Sequence, residues 1–174
     1  YNIGVNPYFN IRVASRFSGS LSLTYEKNIN DRQWLRNYGV IGSDTTHYTV
    51  GNLSQETLNL TTRLNFTASP TLSFQFYGSP FVSVGEYSNW REVSAPRHQA
   101  YTSRVSPFTS GGDVGGNDFN FKQFRSNFVA RWEYRPGSTL VVVWGQAREQ
   151  SNQDLGNFRG FRDHQNLFSA HPSN

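Results

Sequence analysis

The fold is decided by residues 119–149, which read FNFKQFRSNFVARWEYRPGSTLVVVWGQARE. In the first half of this stretch the even positions are mainly apolar, as at Phe124, Phe128 and Trp132, and the odd positions are mainly polar, as at Arg125 and Arg131. A period of two is typical of a β-strand whose two faces meet different surroundings. The stretch therefore predicts a strand with one apolar and one polar face.

A second strand is predicted after the tetrapeptide Arg135-Pro136-Gly137-Ser138. Proline at the second position and glycine at the third favour a type II turn, because that turn needs a positive φ at its third residue. Beyond the turn, Leu140, Val142 and Trp144 share one face. The two runs together predict a β-hairpin of unusually long strands.

The same pattern extends over the rest of the chain. Further strands are predicted over residues 6–17, 21–27, 46–66 and 72–90. Pro80 lacks a backbone N–H, so a bulge or bend is expected beside Gly78. A short helix is expected around residues 162–169, before Pro172. The chain is thus predicted to be all-β, an antiparallel up-and-down meander of long strands.

The connections between these strands alternate in length. Short turns are predicted at 15–20, 67–71 and 135–138, and long polar connections at 28–45, 91–118 and from 150 onward, the first with some strand near Trp34 and Tyr38. In a meander, every other connection lies at the same end of the sheet, so one end has short turns and the other long loops. This asymmetry is typical of transmembrane outer-membrane β-barrels. Strands longer than the usual ~5–6 residues favour the same interpretation.

The composition fits a transmembrane barrel and argues against a disordered chain and a nucleic-acid-binding protein. The 174 residues have a low hydrophobic fraction of 36% but a high aromatic fraction of 16%, which is unlike a disordered chain. The net charge of +4 comes from scattered basic residues, so no nucleic-acid partner is expected. There is no cysteine, which excludes disulfides. No run of about 18 apolar residues occurs, so no transmembrane helix is expected.

Strand periodicity divides the candidate functional residues between two faces. The face expected to line the barrel lumen carries Arg63, Gln75, Tyr77, Arg125, Arg131 and Glu133. The face expected to contact lipid carries Leu58, Leu60, Leu64, Phe74, Phe76, Phe128, Trp132, Tyr134, Leu140, Val142 and Trp144. Arginine or lysine on a lipid-facing position costs about 2–4 kcal/mol at the bilayer midplane, so the polar set is expected inside. These polar residues either line a pore or pair across strands and fill the lumen.

Several segments carry a family resemblance. The segments LNLTTRLNFTASPTLSFQFY, PFVSVGEYS, FKQFRSNFVARWEYRPGSTL and LFSAHPSN resemble the carboxy-terminal barrel of an uncharacterised family of bacterial outer-membrane proteins. In that family, a domain similar to family-nine carbohydrate-binding modules precedes a barrel domain of unknown function. The resemblance covers most of the chain from about Thr46 onward. It implies an outer-membrane location and a possible link to extracellular polysaccharide.

Two departures from that family bear on the domain organisation. The carbohydrate-binding-like domain is absent from these residues, and the family would add a final membrane strand after Asn174. About six strands are predicted, whereas a closed barrel needs at least about eight. Residues 1–174 are therefore expected to be a fragment of one β-barrel domain, without its final and N-terminal strands. Further strands from the same or other chains are expected to complete the sheet.

No motif in the chain predicts catalysis or metal binding. The four histidines, His47, His98, His164 and His171, belong to no G-x-S-x-G elbow and no zinc motif. Residues 113–118 lack the order of acidic residues of an EF-hand loop. We therefore expect no enzymatic activity, no cofactor and no metal.

The predicted function is that of an outer-membrane barrel acting as a membrane anchor or pore, with the lipid bilayer as its principal partner. Two alternatives remain. One is a soluble β-sandwich or adhesin-like binding module whose long loops contact a partner. The other is an outer-membrane hydrolase that uses histidines and serines of the loops, including His164 and His171.

Overall fold

The computed structural model describes residues 1–39, 46–108 and 118–152. Their strands are β1 (Asn2–Val5), β2 (Tyr8–Ala14), β3 (Phe17–Gly39), β4 (Thr46–Ser69), β5 (Leu72–Val93), β6 (Val105–Pro107), β7 (Phe119–Arg135) and β8 (Ser138–Asn152). One 3-10 helix spans Thr102–Arg104. Within these ranges no helix is long and apolar enough to cross a membrane. The all-β prediction is therefore confirmed.

The eight strands form a single antiparallel sheet, in the order β1-β3-β4-β5-β7-β8, with β2 also paired to β3 and β6 to β5. β1 and β2 share one register against β3, from Asn2↔Asn28 to Tyr8↔Ser22, and form one strand line interrupted at Pro7. β6 lies on the side of β5 that β7 also occupies, because β4 covers the other side there. The sheet is thus a six-line meander, as predicted. Among the described residues, β8 does not pair with β1 or β2, so the sheet is open.

Three two-residue turns lie at one end of the sheet, at 15–16, 70–71 and 136–137. Gly137 has φ +78°, the conformation that a type II turn requires at this position, and this confirms the predicted turn. At the opposite end, residues 94–104 connect β5 to β6 and are longer than any of these three turns. The predicted asymmetry between the two ends is present in the part of the chain that the structure describes.

The short turns are staggered along the sheet. In the row that joins Phe17, Phe66 and Ala130 through the strand register, Phe17 directly follows the first turn. Phe66 lies four residues before Pro70, and Ala130 lies six residues before Pro136. Each turn is therefore displaced by two to three residues from the one before it, always in the same direction. At about 3.4 Å per residue and 4.8 Å between strands, this stagger corresponds to a strand inclination of about 40°.

Two sequence predictions are wrong. Residues 28–39 are not part of a polar loop, because the strand expected near Trp34 and Tyr38 is the continuation of β3, which pairs with β4 as far as Gly39↔Thr46. This part of β3 carries register shifts at 30–33 and 34–37, which disrupt the period of two that marks a strand in the sequence. The bulge expected beside Gly78 is absent, because the register of β5 runs unshifted through Pro80 against β7. The helix expected at 162–169 lies outside the described residues.

Candidate functional surface: the two faces of the sheet

Cross-strand partners share a face of the sheet, so the register assigns every paired residue to one of two surfaces. One surface contains Phe128 and its row partners Phe76 and Trp144, and we call it the apolar face. The other contains Asn127 and its row partners Tyr77 and Gly145, and we call it the polar face. All eleven residues predicted to contact lipid lie on the apolar face, and all six predicted to line the lumen lie on the polar face.

Near the short turns, the apolar face is an exposed aromatic and aliphatic surface. The rings of Phe66 and Phe74 are stacked with centroids 6.2 Å apart, and those of Phe74 and Phe128 are 5.9 Å apart. Close to the third turn, Trp132 and Tyr134 lie 6.0 Å apart and remain about half exposed. Stacked aromatic residues join adjacent strands here, yet their outer surfaces are left uncovered by the described residues.

Towards the long connections, the apolar face carries buried and charged side chains. Leu58 and Val82 are buried there, at 8% and 0% exposure. Charged residues follow them on the same face, and the Lys27 ammonium lies 2.9 Å from the Glu56 carboxylate. Lys122, one strand beyond Val82, is buried on this face as well. The stacked, exposed aromatic surface therefore lies in the short-turn half of the strands, and Trp34 and Tyr48 are separately exposed towards the other end.

The polar face carries a compact cluster on β4, β5 and β7. The guanidinium carbon of Arg63 lies 5.3 Å from the ring centroid of Tyr77, at the distance of a cation–π contact. A concavity of about 230 Å³ beside this pair is also lined by Asn65, Gln75 and Asn127. The strand register accounts for this arrangement, because Arg63, Tyr77 and Asn127 occupy one row.

A second concavity of about 260 Å³ lies between Arg131 and the β4–β5 turn, and Glu133 also lines it. The Glu133 carboxylate accepts a hydrogen bond from the Gly137 backbone N–H at 3.0 Å, so it is held by the β7–β8 turn. The two concavities contain five of the six residues predicted to line the lumen. The sixth, Arg125, lies outside both, two residues from Asn127 on β7.

Sequence reasoning missed a cluster at the long-connection end. The Tyr101 hydroxyl donates to the Asp31 carboxylate at 2.9 Å, and the Arg32 guanidinium carbon lies 3.3 Å from the Tyr101 ring centroid. The hydrogen bond to Asp31 raises the pKa of the Tyr101 phenol above its ordinary value of 10.0. These residues are about 70 positions apart in the chain, so no local motif could have indicated their contact.

The histidines that the structure describes have structural partners. Nδ1 of His47 lies 2.5 Å from Glu92, and the Ser106 hydroxyl also donates to Glu92, at 3.4 Å. Nδ1 of His98 accepts from the Ala100 backbone N–H at 3.1 Å. His164, His171 and residues 113–117 lie outside the described ranges. Among the described residues, no group of three or more potential protein ligands could hold a metal ion.

Comparison with known proteins gives one match. Residues 4–174 match the model of a family described as a domain of unknown function, DUF5916. No curated protein and no solved structure shows significant similarity to the chain. The match covers nearly all of the sequence and identifies a domain of unknown function.

Proposed function

The chain belongs to the family described as a domain of unknown function, DUF5916, and we propose that it forms part of the wall of a bacterial outer-membrane β-barrel. Its apolar face contacts lipid acyl chains, and its polar face lines the lumen. In this role the chain is a membrane anchor or part of a pore. The principal partner is the lipid bilayer, and further strands of the same or another chain complete the barrel.

The observation that carries this proposal is the exposed apolar surface. Large apolar side chains on this face remain about half exposed on both outer strand lines, with Phe9 at 56% and Trp144 at 56%. Monomeric soluble proteins rarely expose a contiguous apolar patch larger than a few hundred Å² (about 300–600 Å²). A lipid bilayer removes this surface from water without requiring any further protein.

The dimensions of the surface also support a membrane location. On β7 it extends from Tyr134 to Phe124, which at about 3.4 Å per residue is about 34 Å along the strand. At the inclination of about 40° given by the turn stagger, this length spans about 26 Å, close to the apolar band of about 25 Å on known barrels. The pair Trp132 and Tyr134 then lies at one membrane interface, where aromatic residues are enriched.

A soluble β-sandwich, the first alternative, needs a second sheet against the apolar face. All eight described strands belong to one sheet, so this surface has no such cover within the described part of the chain. The hydrolase alternative needs a serine paired with a histidine. The Ser106 hydroxyl donates to Glu92, which also contacts His47, so the acceptor of this serine is a carboxylate and not a histidine.

Extracellular polysaccharide is a further proposed partner. The proposal depends on the resemblance to proteins that carry a carbohydrate-binding-like domain before the barrel. In such a protein the barrel would hold the binding domain at the cell surface.

Cell fractionation tests the proposal. Membranes of the source cells are washed with carbonate and high salt, and the retained protein is run on gels with and without heating. Retention in the outer membrane with heat-modifiable migration is the expected result, because closed barrels resist detergent unless heated. Release of a folded β protein without detergent would contradict the membrane assignment and favour the soluble alternative.

A further inference from the structure

The charges on the polar face are unevenly distributed. Its short-turn half carries four arginines well inside the strands, Arg12, Arg63, Arg125 and Arg131, and one carboxylate, Glu133. The long-connection half of the same face carries the carboxylates Glu26 and Glu149 instead. The part of the polar face opposite the proposed membrane band is therefore strongly basic.

Among the described residues, no carboxylate forms an ion pair with any of these four arginines. Glu133 is held by the Gly137 N–H, and Glu149 accepts from Gln123 at 3.2 Å. The ion pairs Lys27–Glu56 and His47–Glu92 contain no arginine of the polar face. Arg63, Arg125 and Arg131 are also exposed rather than packed into a core. Their charge is therefore available to a solute.

The arginines are close enough for their fields to combine. Arg63 shares a row with Asn127, and Arg125 lies two residues along β7 from that row. Strand spacing and rise place the Cα atoms of Arg63 and Arg125 about 12 Å apart. Arg12 lies in the row of Asn65, at about the same distance on the other side of Arg63. This distance is longer than the Debye length of about 8 Å at physiological ionic strength, so the fields combine only because a narrow lumen with low-dielectric walls screens the charges less and focuses their field.

We propose that the lumen bounded by this polar face is selective for small anions, such as chloride, inorganic phosphate and simple carboxylates. The proposal rests on the barrel function proposed above. Arginine lining a pore favours anions in the same way that rings of acidic residues favour cations. The carboxamides of Asn65, Gln75 and Asn127 around Arg63 supply additional N–H donors to an anion at the concavity.

The test measures the ion selectivity of the protein in planar lipid bilayers. The purified full-length protein is inserted, and the reversal potential is measured across a KCl gradient. We expect a ratio of chloride to potassium permeability of about 3 or more, because surface potentials of this kind reach several kT. Replacement of Arg63, Arg125 and Arg131 by glutamine should bring the ratio close to about 1, since only Arg12 of the four arginines then remains and Glu133 opposes its charge.

A matched control removes three arginines at the ends of the sheet, by Arg16→Gln, Arg97→Gln and Arg135→Gln. Arg16 and Arg97 lie between strands, Arg135 is the last residue of β7, and all three are exposed. The control should therefore keep most of the anion preference. An equal loss of selectivity in both triple variants would overturn the assignment to Arg63, Arg125 and Arg131. Membrane retention and heat modifiability of each variant are recorded in parallel.

The outcomes distinguish a failure of the anion-selectivity proposal from a failure of the membrane-barrel proposal. A heat-modifiable membrane protein that conducts cations preferentially, or that shows no conductance, overturns the anion-selective lumen and leaves the membrane assignment intact. A protein that washes off the membrane overturns both. Anion preference that disappears in the polar-face variant and persists in the control supports the proposal.

Discussion

At the residue scale, Gly85 shows how closely two neighbouring strands fit together on the polar face. Gly85 pairs with Phe119, and a Cβ added to Gly85 would lie 2.3 Å from Cε1 of the Phe119 ring. The ring therefore covers the glycine, and both members of the pair are fixed by the sheet. An aromatic side chain over a cross-strand glycine is a recognised way of stabilising such a position.

We predict that Gly85→Ala lowers the free energy of unfolding by about 1–3 kcal/mol, because the Phe119 ring must leave its position. Gly39→Ala is the control, since no atom lies within 4 Å of a Cβ added there. Urea unfolding in detergent or lipid vesicles measures both. In a Phe119→Ala background the cost of Gly85→Ala should largely vanish, and an unchanged cost would show that the ring is not its source.

Tyr101 gives a pH-dependent prediction at the same scale, outside the proposed membrane band. Its hydroxyl donates to Asp31, which raises the pKa of the phenol, whereas the nearby Arg32 and Arg91 lower it. Because the folded-state pKa lies above the ordinary value of 10.0, the hydrogen bond is complete at lower pH and is lost as the pH rises through the folded-state pKa.

We expect Asp31→Asn to lower the pKa of Tyr101, because the favourable acceptor is lost and the two arginines remain. NMR of protein with ¹³C-labelled tyrosine measures the titration, and the Tyr101→Phe variant assigns the resonance. The resonance of Tyr134, which lies at the opposite end of the sheet, should behave in the same way in both proteins. A Tyr101 pKa that stays unchanged in the asparagine variant would contradict the hydrogen bond.

At the scale of the strand, β8 offers a direct comparison of the two faces. Val142 and Val143 are adjacent, and both are more than half exposed, at 52% and 64%. Val142 pairs with Ala130 on the apolar face, and Val143 pairs with Val129 on the polar face. The two valines are therefore both exposed to solvent, whereas the membrane proposal places Val142 against lipid and Val143 in the lumen.

We predict that Val142→Arg destabilises the inserted protein by up to about 2–4 kcal/mol, the cost of an arginine on a lipid-facing position. Val143→Arg, the matched control, adds the same side chain to the polar face and should cost less than about 1 kcal/mol. Yield in the outer membrane and unfolding in vesicles are the measurements. Equal tolerance of both arginines would contradict the assignment of the apolar face to lipid.

The strands also show what the sequence could and could not predict. The period of two in residues 119–149 predicts β7 and β8 and assigns their faces correctly, because one regular register extends from Asn120↔Asn152 to Glu133↔Thr139. The end of β3 could be predicted only as some strand near Trp34 and Tyr38 within a loop, because its register shifts interrupt the alternation there. The contact between Asp31 and Tyr101 could not be predicted, since it depends on how a distant connection folds back onto that irregular strand end.

The residues of the candidate site were also predictable only where they lie in regular strands. Arg63, Tyr77 and Arg131 could be assigned to one face because each lies in a regular strand. Their grouping around two concavities depends on the register between β4, β5 and β7, which no single strand encodes. Arg12 was not recognised as part of this surface, because only its register with Ser18 and Asn65 places it beside Arg63.

At the scale of the whole molecule, β3, β4 and β5 are 23, 24 and 22 residues long, about twice the ~9–11 residues that cross a bilayer. The stacked, exposed aromatic surface lies in the half of β4 and β5 next to the short turns, and Lys27–Glu56 lies beyond it, while Trp34 and Tyr48 are also exposed towards the other end. In the proposed membrane orientation, the half with the longer connections extends out of the membrane. In outer-membrane barrels the short turns face the periplasm and the long loops face the exterior.

This orientation can be tested with single cysteines, because the chain has no cysteine of its own. Ser103 lies in the 3-10 helix at the long-connection end, and Arg16 lies in the first short turn; both are exposed. On intact cells, a membrane-impermeant maleimide should label Ser103→Cys and leave Arg16→Cys unlabelled until the outer membrane is permeabilised. Both variants should react equally in detergent, which shows that each thiol is accessible. Labelling of Arg16→Cys on intact cells would contradict the orientation, and with it the assignment of the long-connection end to the cell exterior.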